Sequence, residues 1–160
     1  ERFYDFRVRG FLNDIIEPGS SIGRFKKYQV IGKSEDYIKF KNQGCLFFRA
    51  YLGMGAEETN YNKLKAMDLE DNLVSPLVHP SASFNSDMTE IEDGCLIGPN
   101  AVLSPDTAMG QNCMILGGGF LGHDSTMEEF SHLATNAVVG ATVLIGKGSH
   151  VGSNSTVREK

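Results

Sequence analysis

From Ile91 to Val157 every sixth residue is aliphatic or Met: Ile91, Ile97, Leu103, Met109, Ile115, Leu121, Met127, Leu133, Val139, Ile145, Val151 and Val157. The residue four places after each is small, from Cys95, Ala101, Thr107 and Cys113 through Gly119, Ser125, Ser131 and Ala137 to Val143, Ser149 and Ser155. Helical amphipathicity recurs every three to four residues and strand alternation every two. A strict six predicts very short strands joined by corners, three hexads to a triangular coil. No single coil can bury its apolar face, so stacking must supply the core, as in parallel β-helices of hexapeptide repeats, with coils about 4.8 Å apart. Glycines follow the apolar residue at Gly98, Gly110, Gly122, Gly140, Gly146 and Gly152, where a sharp corner is expected to need φ freedom. A sandwich of short strands would space its apolar residues at roughly eight to twelve and does not fit an unbroken six. With roughly 1.5–3 kcal/mol gained per buried aliphatic side chain, a one-residue slip would forfeit so much burial that the register is fixed.

The residues before the repeat read differently. "YDFRVRGFLND" predicts a strand leaving through Gly10 into a polar turn at Asn13 and Asp14. "YQVIG" predicts a second strand, followed by a short helix with Ser34 as N-cap and an end at Gly44. "CLFFRAYLGM" is a further strand candidate, and residues 57–67 have helical character. Strands alternating with helices predict an incomplete, Rossmann-like α/β domain over residues 1–75, with the repeat domain over 76–160. Ligands of open α/β sheets bind beyond the strands' carboxyl ends. Two loops qualify: Asn13–Asp14, and "GMGAEE" from Gly53, where a GxG before a helix is either a phosphate cradle or a plain turn. Arg24, Lys26 and Lys27 are a nucleotide contact or a solvated cluster.

Charge sharpens the division. Residues 1–75 carry 12 Lys plus Arg against 11 Asp plus Glu, and residues 76–160 carry 3 against 9. A total of −5 argues against nucleic-acid and anionic-membrane surfaces, and no apolar run is long enough for a signal peptide or membrane helix. Cys95 and Cys113 fall in the small inward slot and read as core; Cys45 reads as a buried strand residue. A reducing, cytoplasmic setting fits. The repeat runs to the end of the chain without a polar cap, and the expectation is that further coils follow.

Candidate chemistry lies where the repeat departs from itself. "LGGGFLGHD" strips side chains from the surface and ends at His123 and Asp124, a general base with a carboxylate to orient its ring. His132 follows half a coil later and His150 one coil beyond that; stacked histidines raise the question of a metal site, and none is expected. His79, in "VHPSA", reads as a turn residue. No Ser or Cys sits beside a His as a covalent acyl-enzyme would require.

With "GFLND", "YQVIG", "LVHPSA" and "GHD" followed by His132, the hexads resemble the bacterial sugar acyltransferases of the sialic-acid O-acetyltransferase type. This group includes N-acetyltransferases of nucleotide-linked 4-aminosugars. The resemblance implies a nucleotide-sugar-binding N-terminal domain, a left-handed β-helix, a homotrimer, and acetyl-CoA bound between adjacent β-helices. It implies His123 as the general base, Asp124 as its partner, His132 beside the thioester, and backbone N–H groups near Gly140 and Ala141 as oxyanion donors. Asn13 and Asp14 match the loop that meets the nucleotide. Leu116 stands where these enzymes usually have an Asn beside the acceptor, a departure that implies a different acceptor orientation or lost activity. Coenzyme A is anionic, and the basic residues after Ser75 are Lys147, Arg158 and Lys160, so its phosphates are expected near Lys147. The function expected is acetyl transfer to the amino group of a nucleotide-linked 4-aminosugar. The alternatives are sialic-acid O-acetylation and, because a fold does not dictate an activity, a non-catalytic scaffold.

Overall fold

The computed structural model describes residues 6–25, 27–50 and 57–159. Contacts divide the chain into two units, Glu1–Leu46 and Phe47–Lys160. This division falls earlier than the composition break near residue 75, and it separates charge more cleanly. The first unit's sequence has 9 basic and 6 acidic residues, the second's 6 and 14.

In the first unit Phe11–Leu12 (β1), Ser21–Ile22 (β2) and Tyr28–Gly32 (β3) form a sheet in the order β1-β3-β2. β1 runs parallel to β3 and β2 antiparallel to it. The chain passes from β1 to its parallel neighbour through a strand rather than a helix, so the described residues show no Rossmann-like domain. Val30 is the buried centre. A 3-10 turn at Ser34–Asp36 leads into Tyr37–Lys41 (α1), and Gly44 (φ 72) turns the chain out of it. Ser34 is not the N-cap: the helical turn begins with it, and the Lys33 N–H is capped by Asp36 Oδ2 at 2.7 Å.

The expected strand at 45–54 is not formed over its described part. Phe47 makes only an isolated parallel bridge to Leu73, and residues 51–54, with the GxG, lie outside the described residues. The helix does form, as Glu57–Ala66 (α2).

The repeat folds as its period predicts. The first face stacks Leu77–Val78, Leu96–Ile97, Met114–Ile115, His132–Leu133 and His150–Val151. The second stacks Val102–Leu103, Phe120–Leu121, Val138–Val139 and Thr156–Val157. The third stacks Thr89–Ile91, Thr107–Met109, Thr126–Met127 and Leu144–Ile145. All of these pairs are parallel; each residue faces the one eighteen later, as Leu121 faces Val139, except at the first pair, where Leu77 faces Leu96 and Val78 faces Ile97, nineteen later. The sixth-residue row is the core: Ile97, Ile115, Leu121, Met127, Leu133 and Val139 are fully buried, and the end members Ile91 and Val157 partly so. Cys95 and Cys113 are free thiols, buried as expected; a hydrogen bond with Cys113, then burial, push the Cys95 thiol's pKa up.

The glycine expectation is corrected. Left-handed backbone occurs every sixth residue at Gly94, Asn100, Asp106, Asn112, Gly118, Asp124, Phe130, Asn136, Thr142, Gly148 and Asn154, two residues past the glycines that were expected to need it. Gly, Asn and Asp tolerate that region best. The earlier glycines serve a different need, because the next coil passes over them. A Cβ at Gly98 would lie 2.8 Å from the Gly117 nitrogen, and one at Gly122 2.5 Å from the Gly140 carbonyl carbon. At Gly146 and Gly152, in the last coil, the nearest atoms are 3.7 and 3.4 Å away.

Candidate active site

The corner at residues 122–125 joins the second face to the third, so it lies opposite the first. Here the left-handed turn at Asp124 (φ 57) lets two consecutive side chains meet on the outside: His123 Nδ1 lies 2.6 Å from Asp124 Oδ2. Both are exposed, 61% and 55% of their side-chain area. With the carboxylate accepting from Nδ1–H, Nε2 carries the lone pair of the neutral ring and can act as a base.

The backbone beneath this pair is pinned to the next coil. Thr142 N–H donates to the His123 carbonyl at 2.9 Å. Buried Ser125 donates to the Gly140 carbonyl at 2.9 Å and accepts from Val143 N–H at 3.0 Å. Ser125 therefore does more than fill a small slot: its hydroxyl staples the two coils together.

One coil above His123 stands Ala141. In two other corners the equivalent N–H is capped by a carboxylate from the coil below: Gln111 N–H by Glu92 Oε2 at 3.0 Å, and Lys147 N–H by Glu128 Oε2 at 3.1 Å. Beneath Ala141 the corresponding position is Gly122, and the Ala141 N–H has no acceptor in the described residues. The Gly140 N–H, the other expected oxyanion donor, is already bound to the Val157 carbonyl at 2.8 Å. An open amide thus sits over an oriented imidazole, and this combination can deprotonate a nucleophile and stabilise developing negative charge on oxygen.

The other expected residues lie elsewhere. Leu116 is on the preceding corner, one strand away, with its backbone in the coil ladder. His132 is on the first face, across the prism from His123, and is only 8% exposed. Burial, then neighbouring His150 and Arg49, push its pKa down to about 4. Lys147 is turned onto Glu129, Nζ to Oε1 at 3.0 Å. In the first unit Asn13 Oδ1 accepts from the Ile15 and Ile16 amides, both at 2.9 Å, and Asp14 accepts from the Ser34 amide at 2.8 Å and hydroxyl at 2.7 Å. These two residues build the loop and tie it to the start of the α1 turn. His79 makes a local turn with Ser81, as expected, but its Nδ1 lies 2.9 Å from the Ser81 hydroxyl, so, contrary to expectation, a Ser does sit beside a His.

The corner at 128–131 carries a cluster that the sequence did not announce. Glu129 accepts from Tyr61 Oη at 2.8 Å, Lys65 Nζ at 2.9 Å and Lys147 Nζ at 3.0 Å, which ties α2 to the solenoid. Burial acts to raise its pKa, but the bonds from Lys65, Lys147 and Tyr61 outweigh this and hold it near about 2. Phe130 packs edge-on against Tyr61 at 5.2 Å and under the Arg49 guanidinium at 5.1 Å. No group of three or more metal-ligating side chains occurs among the described residues, and none of their helices is long and apolar enough to cross a membrane.

No family model matches the sequence. No curated protein matches it either. Among solved structures, the acetyltransferase domain of PglB from Neisseria gonorrhoeae is similar over 94% of this chain and 83% of its own, at 15% identity and a TM-score of 0.45. The same domain in complex with acetyl coenzyme A covers 93% and 74%, at 14% identity and a TM-score of 0.41. PerB from Caulobacter crescentus, in complex with CoA and GDP-perosamine, covers 79% and 72%, at 16% identity and a TM-score of 0.39. These values describe a loose likeness.

Proposed function

We propose that this chain belongs to an acetyl-CoA-dependent acetyltransferase that acetylates the amino group of a nucleotide-linked 4-aminosugar in the cytoplasm. The observation that carries the reading is the exposed His123–Asp124 pair beneath the open Ala141 amide, on residues that resemble the sugar acyltransferase motif. His123 Nε2 takes the proton from the amine as it attacks the thioester carbonyl, and Asp124 supports the imidazolium that forms. The Ala141 N–H donates to the carbonyl oxygen as it becomes an oxyanion. Collapse of the tetrahedral intermediate breaks the C–S bond and expels the coenzyme thiolate, which takes the proton from the His123 imidazolium and restores the neutral ring. Direct attack of the amine passes through no acyl-enzyme, and the thiols of Cys95 and Cys113 are buried.

Asn13 and Asp14 are the proposed nucleotide contacts, and Leu116 the residue facing the acceptor. A homotrimer with a left-handed β-helix is the proposed assembly. Within one chain His132 and His123 lie on opposite sides of the prism, so a His132 beside the thioester would come from a second copy. Lys147 remains the proposed cation for the coenzyme phosphates only if it leaves Glu129.

The test incubates the protein with acetyl-CoA and UDP-, dTDP- and GDP-linked 4-aminosugars and follows free thiol. Release with one of these acceptors is expected, and His123→Asn should lower the rate by about 10²–10⁴-fold while leaving the circular dichroism spectrum unchanged. Release with sialic acid alone would favour O-acetylation, and no release with any acceptor would favour a scaffold.

A further inference from the structure

On the first face, four buried polar atoms lie in one neighbourhood without a hydrogen-bond partner: His132 Nδ1 and Nε2, His150 Nε2 and Arg49 Nε. The two imidazoles are in-register neighbours on adjacent coils, their rings parallel within 6° and 4.7 Å apart. Arg49 donates its terminal nitrogens to the backbone carbonyls of Phe130, at 3.4 Å, and Asn112. It pairs with no carboxylate among the described residues. Burial lowers its pKa to about 10, the electrostatic cost of holding a cation away from water. Its charge also reaches His132.

Folded proteins rarely leave buried polar groups unpaired, and a desolvated guanidinium without a counter-charge is costly. What these groups lack in common is an acceptor carrying negative charge: Nε–H of Arg49 is a donor only, and each imidazole offers at least one N–H. A metal ion does not fit. Parallel stacked rings send their lone pairs side by side, whereas a shared ion needs them to converge, and Arg49 would repel it.

We propose that Arg49, His132 and His150 form a binding site for an oxyanion, either a carboxylate or a phosphoryl group, against the first face of the solenoid. The anion would accept from Arg49 Nε–H and from the imidazole N–H groups, and would favour protonation of both rings. The site lies across the prism from His123 and shares His132 with the thioester contact proposed above, so it rests on that reading at this one residue.

The test follows the two imidazoles by ¹⁵N NMR in a pH titration of the whole protein. It compares inorganic phosphate, acetate, and chloride at matched ionic strength. In phosphate or acetate the His132 midpoint should rise by at least about one unit relative to chloride, and the anion that moves it further identifies the class bound. Arg49→Gln should abolish the anion-dependent shift. If that variant does not fold, His150→Asn should weaken the shift at least about tenfold in anion concentration. Superimposable curves in all three salts, or a crystal grown in phosphate with a lone water between Arg49 and His132, would overturn the proposal.

Discussion

The corners at residues 122–125 and 128–131 belong to the same coil and share a backbone. Each follows a buried hexad residue, Leu121 or Met127, and each turns through left-handed φ, at Asp124 (57°) or Phe130 (62°). Their decoration differs from the first position onward. Gly122 has no side chain to cap the amide above it, and His123 and Asp124 pair with each other in the open. Glu128 caps the amide of Lys147, Glu129 is saturated by three donors, and Phe130 is clasped between Tyr61 and Arg49. One corner is left chemically unfinished and the other is spent on holding α2. In a solenoid, where backbone geometry repeats, function is written at corner positions that the core does not constrain.

The largest stability effect that separates the two kinds of glycine is expected at Gly122. A Cβ there would press on the Gly140 backbone, so Gly122→Ala should cost about 1–3 kcal/mol or more. Gly117→Ala, whose Cβ would approach only Pro99 and no closer than 3.3 Å, should cost less, about 1 kcal/mol or below. Equal melting temperatures for the two variants would break the account of why these glycines recur.

Acid should distinguish the buried histidine from the half-buried Glu129 carboxylate. His132 has a folded pKa of about 4, below its ordinary value of 6.5, so the folded state binds fewer protons than the unfolded one between these limits. Stability is then fully present above pH 6.5 and falls by about 3 kcal/mol as pH drops towards 4. Glu129 is depressed from 4.5 to about 2; its contribution holds above pH 4.5 and is lost as pH falls through 2. Urea unfolding in chloride buffer should show the two windows in turn. His132→Phe should remove the upper one, and a slope unchanged in that variant would reassign it.

Removing the Glu129 carboxylate strikes the gluing corner alone. Glu129→Ala strands Tyr61, Lys65 and Lys147, of which the lysines are partly solvated and can recover water, so the cost should be about 2 kcal/mol. Hydrogen exchange should speed up over 57–66 and stay unchanged over 122–125. Faster exchange at both corners would show that they are not separable.

These contrasts mark what the residues disclosed before the structure. The inward row was legible because burial of one aliphatic residue in six is a local, repeated demand, and the pairing of His123 with Asp124 was legible because they are neighbours in sequence. The left-handed row was in view as Gly94, Asn100, Asp106 and Asn112, but Phe130 and Thr142 interrupt it, and the glycines nearer the core drew attention instead. Glu129 with Tyr61 and Lys65, and Arg49 with Asn112 and Phe130, were hidden because they join residues 63 to 81 positions apart. No local period encodes such contacts. Gly140 was misjudged for a similar reason: its N–H is claimed by Val157 a full coil away.

The two exceptions in the left-handed row give the finest comparison. Phe130 and Thr142 occupy a conformation that costs a bulky or β-branched residue roughly 1–2 kcal/mol. Phe130 recovers this through Tyr61 and Arg49, so Phe130→Asn should trade strain for lost packing and lower stability. Thr142 is exposed, and its hydroxyl donates only to the adjacent Ala141 carbonyl, at 2.7 Å. Thr142→Asn should therefore raise stability by about 1 kcal/mol, seen as a melting temperature a few degrees higher. Strain retained without packing to hold it is found where a backbone must be presented in one way. Here the strained residue follows the open Ala141 amide and binds the His123 carbonyl. If the stabilised variant also transfers acetyl more slowly with its substrate KM unchanged, the strain at Thr142 serves the amide's position; an unchanged rate would make Thr142 a tolerated exception.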